Sequence, residues 1–352
     1  MMEEERTPQE DSHQDSDDVL NQYLSKTGGG IGTVPGYRSG YVAVVGKPNV
    51  GKSTLINAIV GRKVAITSNK PQTTRRRILG ILTREDAQIL FVDTPGIHEP
   101  KQALNRYMMR EVEEALDDCD AVLFVTDVSR PPDDEDSRVA ERVRGMKQPV
   151  IQALNKADML DPRHVVENVA AHEELMDRMT KEESASADEA IAEGTPFEIR
   201  NSVMLTSAAR GDNIDKLLAM LIVNLPEGPA YYDPGQYTDQ TERILAAEFV
   251  REQALRYLEQ EVPHGIAVSI DEWQPRKNGM IYIGATIFVE RDSQKGILIG
   301  KGGEMLKKIG SGARKEIERE LGTKVFLELW AKVREGWRKD DSLVERFLSG
   351  QG

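Results

Sequence analysis

The chain of 352 residues is 39% hydrophobic and 30% charged, which suits about two domains, each with its own core. One cysteine, Cys119, excludes an internal disulfide or a thiolate zinc cluster, and no apolar run reaches the roughly 20 residues that a membrane-spanning helix needs. The net charge of −13 is uneven: −6 over residues 1–30 and −8 over residues 161–198, against +6 over residues 295–339. Local rather than total charge therefore governs any encounter with nucleic acid.

In chain order, residues 1–38 read as a disordered acidic tail, without the basic or apolar character of an export signal. Apolar β-rich runs then alternate with helical patterns: YVAVVG (41–46), ILGILTRE (78–85), AQILFVD (87–93), AVLFVTDV (121–128), PVIQALNK (149–156) and, last, SVMLTSA. Near-continuous apolar strands separated by helices predict a mostly parallel sheet covered on both faces, an α/β domain over residues 39–225. Within it, the stretch between 157 and 202 reads as a long helix plus an acidic surface insertion (about 161–200), and Asn213 to Leu225 as a closing helix. Residues 226–240, rich in Pro, Gly and Tyr, are a linker. A helix over Thr241–Glu261, strands at 264–274 and 279–290, a glycine-rich turn, a helix over Glu304–Glu320 and a strand at 323–333 make a smaller α+β module, residues 241–335. Residues 336–352 are left as a C-terminal tail.

Gly46-Lys47-Pro48-Asn49-Val50-Gly51-Lys52-Ser53, followed by Thr54, fits G-x-x-x-x-G-K-[ST] between a strand and a helix. Such a loop turns its backbone N–H groups toward phosphate oxygens, with the helix N-terminus adding positive potential. Lys52 is placed to reach the β- and γ-phosphates, and the Ser53 hydroxyl to bind Mg²⁺. Asp93-Thr94-Pro95-Gly96 ends a strongly apolar strand, where the carboxylate can hold the Mg²⁺ shell and the Gly96 N–H can sense the γ-phosphate.

Asn155-Lys156-Ala157-Asp158 ends a further strand. The Asp158 carboxylate can accept from guanine N1–H and the 2-amino group, a donor pair that adenine lacks. Asn155 would secure base and loop, and the Lys156 stem would cover the ring. Ser207-Ala208-Ala209 would offer a backbone N–H to guanine O6. Four elements in this order predict a P-loop GTPase. Between the first two lies Pro71-Gln72-Thr73-Thr74-Arg75-Arg76-Arg77, a candidate order–disorder switch whose threonine completes the Mg²⁺ shell when γ-phosphate is present. Thr74 is favoured, with Thr73 the rival, so Lys52, Thr74 and Gly96 are the catalytic candidates. The three arginines read as a solvated basic turn.

In the second module, Ile297-Leu298-Ile299 precede Gly300-Lys301-Gly302-Gly303, a GxxG loop opening a helix. This matches a KH domain of the type II order, whose glycines admit single-stranded RNA backbone beside an apolar groove for bases. Lys301, Lys307, Lys308 and Arg314 supply the positive field. Core packing is expected for Trp273 and Trp330, while Trp337 is open; His98 reads as a solvent-exposed loop residue and Cys119 as a packed small one.

GxPNxGKS, KPQTTRRRILGI, VDTPGIH, LPEGPAYYDPGQYTD and EVPHGIAVSIDEW together resemble the Era family, within the wider group of Era, MnmE and EngA GTPases, over roughly residues 41–335. Two departures are the acidic N-terminal extension and the acidic insertion. The resemblance implies slow GTP hydrolysis: Ile97 stands where Ras-like proteins place a water-orienting glutamine. It also implies K⁺ near Asn49, which could stabilise developing charge as an arginine finger does. The implied partner is the single-stranded 3′ end of 16S rRNA in 30S subunit biogenesis, with a cytoplasmic monomer and a weak peripheral membrane association that no strong amphipathic anchor demands. A nucleotide-gated RNA chaperone and a membrane or cell-cycle signalling GTPase are the alternatives.

Overall fold

The computed structural model describes residues 36–96, 102–180, 202–277 and 279–348. Most of the expected acidic tail, residues 181–200 of the expected insertion, and Ile97 and His98 lie outside the described residues. The first domain runs β1 (Arg38–Val45), α1 (Lys52–Val60), β2 (Ile78–Thr83), β3 (Ala87–Asp93), α2 (Ala103–Asp117), β4 (Ala121–Asp127), α3 (Asp134–Val143), β5 (Val150–Asn155), α4 (Val165–Thr180), β6 (Ser202–Leu205) and α5 (Ile214–Val223). The sheet order is β2-β3-β1-β4-β5-β6, with β2 antiparallel to β3 and every other pair parallel. Alternation along β1 feeds two cores: Val42 and Val44 pack with α1 and α5, and Ala43 and Val45 with α2 and α3. Burial on both faces is why these strands carry no polar alternation.

The linker does not hang free. Ile81 N–H donates to the Tyr237 carbonyl at 2.9 Å, and the Thr238 hydroxyl donates to the Leu79 carbonyl at 2.7 Å, so it runs along the β2 edge.

The second module runs α6 (Glu242–Tyr257), β7 (Ala267–Pro275), β8 (Ile281–Val289), α7 (Asp292–Ile299), α8 (Glu304–Leu321) and β9 (Val325–Val333). β7 pairs antiparallel and β9 parallel with β8. Helix α7 was not foreseen; Gly296 and the run ILIG masked it in the sequence. The expected tail likewise holds a 3₁₀ turn at Trp337–Lys339 and a helix, α9 (Asp341–Leu348), which packs on α2. Trp337 is fully buried beside Leu104 and Met108 of α2, and its indole N–H donates to the Gly265 carbonyl at 2.9 Å. Trp273 and Trp330 are only half-buried.

Candidate nucleotide site and nucleic-acid interface

The loop between β1 and α1 turns where side chains are not tolerated. A Cβ on Gly46 would sit 2.3 Å from the Val125 carbonyl oxygen, and one on Gly51, at φ 102°, would sit 2.4 Å from Asn155 Nδ2. Gly96 faces Pro48 so closely that its Cβ would lie 2.7 Å from Pro48 Cγ, which brings the DTPG turn against the loop. These segments, with residues 66–69, Gln72, Thr73, Thr74 and Lys156, line an open cavity of about 290 Å³. It lies at the C-terminal end of the parallel sheet, where α/β folds place ligands. Thr54 reaches this cavity from the first turn of α1 and is exposed.

Three of the predicted metal-ligating groups converge. Ser53 Oγ donates to Asp93 Oδ2 at 2.6 Å and lies 3.0 Å from Thr74 Oγ1, which is 3.3 Å from the same carboxylate oxygen. Thr73 is oriented elsewhere, its hydroxyl donating to the Lys70 carbonyl at 2.6 Å. Asp93 Oδ1 is buried without a hydrogen-bond partner. Burial pushes the Asp93 carboxyl up from its ordinary range, opposed by Lys52, Ser53 and Thr74. Hard oxygen donors around an orphaned buried carboxylate oxygen fit Mg²⁺. Lys52 Nζ donates to the Gly46 and Lys47 carbonyls at 2.9 and 3.2 Å, and burial lowers its pKa to about 8 against the pull of Asp93.

The base-recognition residues form a second cluster. Asn155 Nδ2 donates to the Val50 carbonyl at 2.9 Å and its Oδ1 accepts from Ala208 N–H at 3.0 Å. Asp158 Oδ1 accepts from Ser207 Oγ at 2.6 Å, while Lys156, in left-handed backbone at φ 64°, pairs with Asp127 at 2.7 Å. Ala209 follows in the same turn.

Three side chains of the predicted set face away from the cavity or brace its wall. Lys47, 2% exposed, is locked between Asp133 at 2.7 Å and the buried Asp136 of α3, so only its backbone can serve the phosphate loop. The Thr94 hydroxyl donates to the Val44 carbonyl at 2.7 Å. Asn49 Nδ2 donates to the Asn69 carbonyl at 3.3 Å, tying the loop to the stretch just before the switch segment. The basic turn needs correction as well: Arg75 is 2% exposed and Arg76 half-buried, leaving only Arg77 solvated. Arg75 donates to the Ile266 carbonyl and, at 3.1 Å, to the His264 carbonyl of the second module. Arg251 of α6 returns a bond to the Thr73 carbonyl, and Glu252 accepts from Thr67 N–H at 3.1 Å and from Lys63 at 2.6 Å. Ile66 is buried in the core of the second module. None of these contacts had a local sequence signal.

In the second module, Gly300 (φ 73°) ends α7, and its Cβ would lie 2.8 Å from Met305 Cβ. Gly302 and Gly303 also have positive φ, in open space. Lys301, Lys307, Lys308 and Arg314 are exposed around this loop and along α8, Lys308 Nζ standing 4.2 Å from the centroid of Tyr257.

The fold and these motifs define a P-loop GTPase domain joined to a KH module. The family model described as 50S ribosome-binding GTPase matches residues 41–156, and that of the KH domain matches residues 261–338. The chain is 41% identical over 309 residues to GTPase Era of Ruminiclostridium cellulolyticum, covering 88% of this chain and 96% of the relative. It is 43% identical over 312 residues to GTPase Era of Geobacter metallireducens, covering 88% and 97%. A crystal structure of Era in complex with MgGDPNP and nucleotides 1506–1542 of 16S ribosomal RNA superposes with a TM-score of 0.78 at 38% identity, covering 89% of this chain and 99% of that one. The chain belongs to the Era family of GTPases.

Proposed function

We propose that the chain binds Mg²⁺·GTP in the cavity beside Lys52, hydrolyses it slowly, and uses the nucleotide state to set the grip of its KH module on the single-stranded 3′ end of 16S rRNA during 30S subunit assembly. The observation that carries the reading is continuity: Thr74, at the metal-binding cluster, is followed by Arg75, whose guanidinium is bonded to KH backbone carbonyls. A γ-phosphate that moves Thr74 must therefore act on the second module. The solved Era complex with MgGDPNP and an rRNA fragment supports the pairing of these ligands.

Ser53, Thr74 and Asp93 would hold Mg²⁺, which neutralises charge on the β- and γ-phosphate oxygens. Lys52 reaches the same oxygens once phosphate replaces its loop carbonyls. Asp158 reads guanine, and the loop held by Asn155 and Ala208 shapes the base pocket. Backbone N–H groups of residues 46–53, other than Pro48, which has none, hold the phosphates. The GxxG loop and its lysines take the RNA backbone. Asn49 Oδ1 would contribute to a K⁺ site beside the phosphates, so GTP turnover should be faster in K⁺ than in Na⁺ at equal ionic strength; equal rates would remove K⁺ from the reading. Among the described residues no helix is long and apolar enough to cross a membrane.

Titrating a 16S 3′-end oligoribonucleotide into protein loaded with a non-hydrolysable GTP analogue, with GDP, or without nucleotide tests the coupling. Linkage requires the RNA to change nucleotide affinity by the same factor as nucleotide changes RNA affinity. Three superimposable titrations would overturn it.

A further inference from the structure

A second cavity, of about 300 Å³, lies between the switch segment, α6, β7 and α9, and is lined by none of the phosphate-loop, DTPG, NKAD, SAA or GxxG residues. Its inner wall includes Arg75 and Arg251, which are 2% and 4% exposed. Arg251 Nη1, Arg75 Nε and Arg76 Nε are all buried without a hydrogen-bond partner. Burying donor groups of charged side chains without acceptors is costly, so such a cluster persists where an acceptor completes it. Burial, and then the charge of Arg251, lower Arg75 to about 9, as expected where positive charge is under-compensated.

Four exposed cations complete the lining: Arg243, Lys332, Arg334 and Arg346. None of them enters an ion pair among the described residues. The two lining acids are already engaged. Glu248 is held by Arg251 at 2.6 and 3.0 Å, and Asp271 accepts from Ser269 at 2.9 Å and from Thr286 at 2.5 Å. Apolar surface adjoins this charge, with the rings of Phe288 and Phe347 4.7 Å apart.

From this arrangement we infer that the cavity is a binding site for a small anion bearing two or more phosphates, distinct from the guanine-nucleotide site. Seven cationic side chains against two committed carboxylates demand more than one negative charge. Guanidinium forks match phosphate oxygens in pairs. The size favours a compact ligand over a polynucleotide: buried guanidinium groups behind a cavity of about 300 Å³ are within reach of a chain of terminal phosphates, not of a backbone lying on the surface. Because the switch segment forms one wall and α9 another, an occupant would fasten the GTPase domain to the KH module.

The test uses the full chain saturated with GDP at fixed free Mg²⁺, so that the phosphate loop is filled. Sodium triphosphate and ATP, whose adenine Asp158 does not suit, are titrated in separate arms by calorimetry. One site is expected in at least one arm, with affinity falling as salt rises and weakened at least tenfold in the R243E/R346E double variant. Tighter ATP would identify a nucleotide as the occupant, and equal affinities a free oligophosphate. GDP affinity and thermal unfolding of the variant report its folding, and R243Q/R346Q replaces it if those change. No binding to the GDP-saturated protein, or equal affinity in wild type and folded variant, would overturn the inference. So would competition by a 16S 3′-end oligoribonucleotide whose own affinity falls by the same factor in the variant, since the cavity would then belong to the RNA track.

Discussion

Asn155 is bonded to Val50 across 105 positions of sequence: its Nδ2 donates to the Val50 carbonyl at 2.9 Å, and its Oδ1 accepts from Ala208 N–H at 3.0 Å. One amide thus holds the phosphate loop and the base-recognition turn at a fixed separation. Asn155→Ala leaves a buried carbonyl and a buried N–H unpaired, at about 1–3 kcal/mol each. The expected result is a GDP dissociation constant raised about 10–100-fold, with a lower unfolding temperature for the nucleotide-free protein, measured by fluorescent-nucleotide titration and calorimetry.

Lys52 makes nucleotide binding depend on pH. Its folded-state pKa, about 8, is below the ordinary 10.5, so its charge opposes folding at every pH below 8. Between 8 and 10.5 the unfolded chain binds the proton that the native chain has released, and the contribution of this group to stability improves as pH rises. Phosphate oxygens reverse the shift by favouring the ammonium form. GDP binding should therefore take up a proton above about pH 8 and weaken as pH rises further, seen as buffer-dependent calorimetric heats. Lys52→Ala should abolish both effects.

Base selectivity rests on Asp158, whose carboxylate already accepts from Ser207 at 2.6 Å. Asp158→Asn exchanges an acceptor for a donor. Affinity for GDP should fall at least 100-fold and that for xanthosine diphosphate should rise, because the xanthine 2-oxo group accepts where guanine donates. Competition between the two nucleotides measures the exchange.

Removing the Arg75 guanidinium tests the path between the sites. Arg75→Ala frees the Ile266 and His264 carbonyls while leaving Ser53, Thr74 and Asp93 in place. The ratio of RNA affinities in the GTP-analogue and GDP states should move toward one, with GDP affinity changed less than about threefold. A ratio equal to wild type would assign the coupling to Arg251 and Glu252 alone.

Much of the site was legible because it is local in sequence. The phosphate loop, DTPG, NKAD and SAA each combine a strand end with a turn, and burial on both faces made the strands readable as continuous apolar runs. The contacts that are distant in sequence were not legible. Lys47 meets Asp133 and Asp136 more than 80 residues away, and Arg75 looked like a solvated charge because its acceptors are backbone carbonyls, which have no residue signature. Trp337 fell in a stretch too short and too charged to suggest a core, yet it is fully buried against α2.

The position of α9 has a temporal consequence. The strap that seals Leu104 and Met108 follows them far along the chain, so it leaves the peptide exit tunnel well after both. The GTPase domain can collapse early, as N-terminal units do during synthesis. Its junction with the KH module, however, closes only once α9 has emerged, so a nascent product cut short of α9 would carry an exposed apolar seam and an unanchored RNA grip.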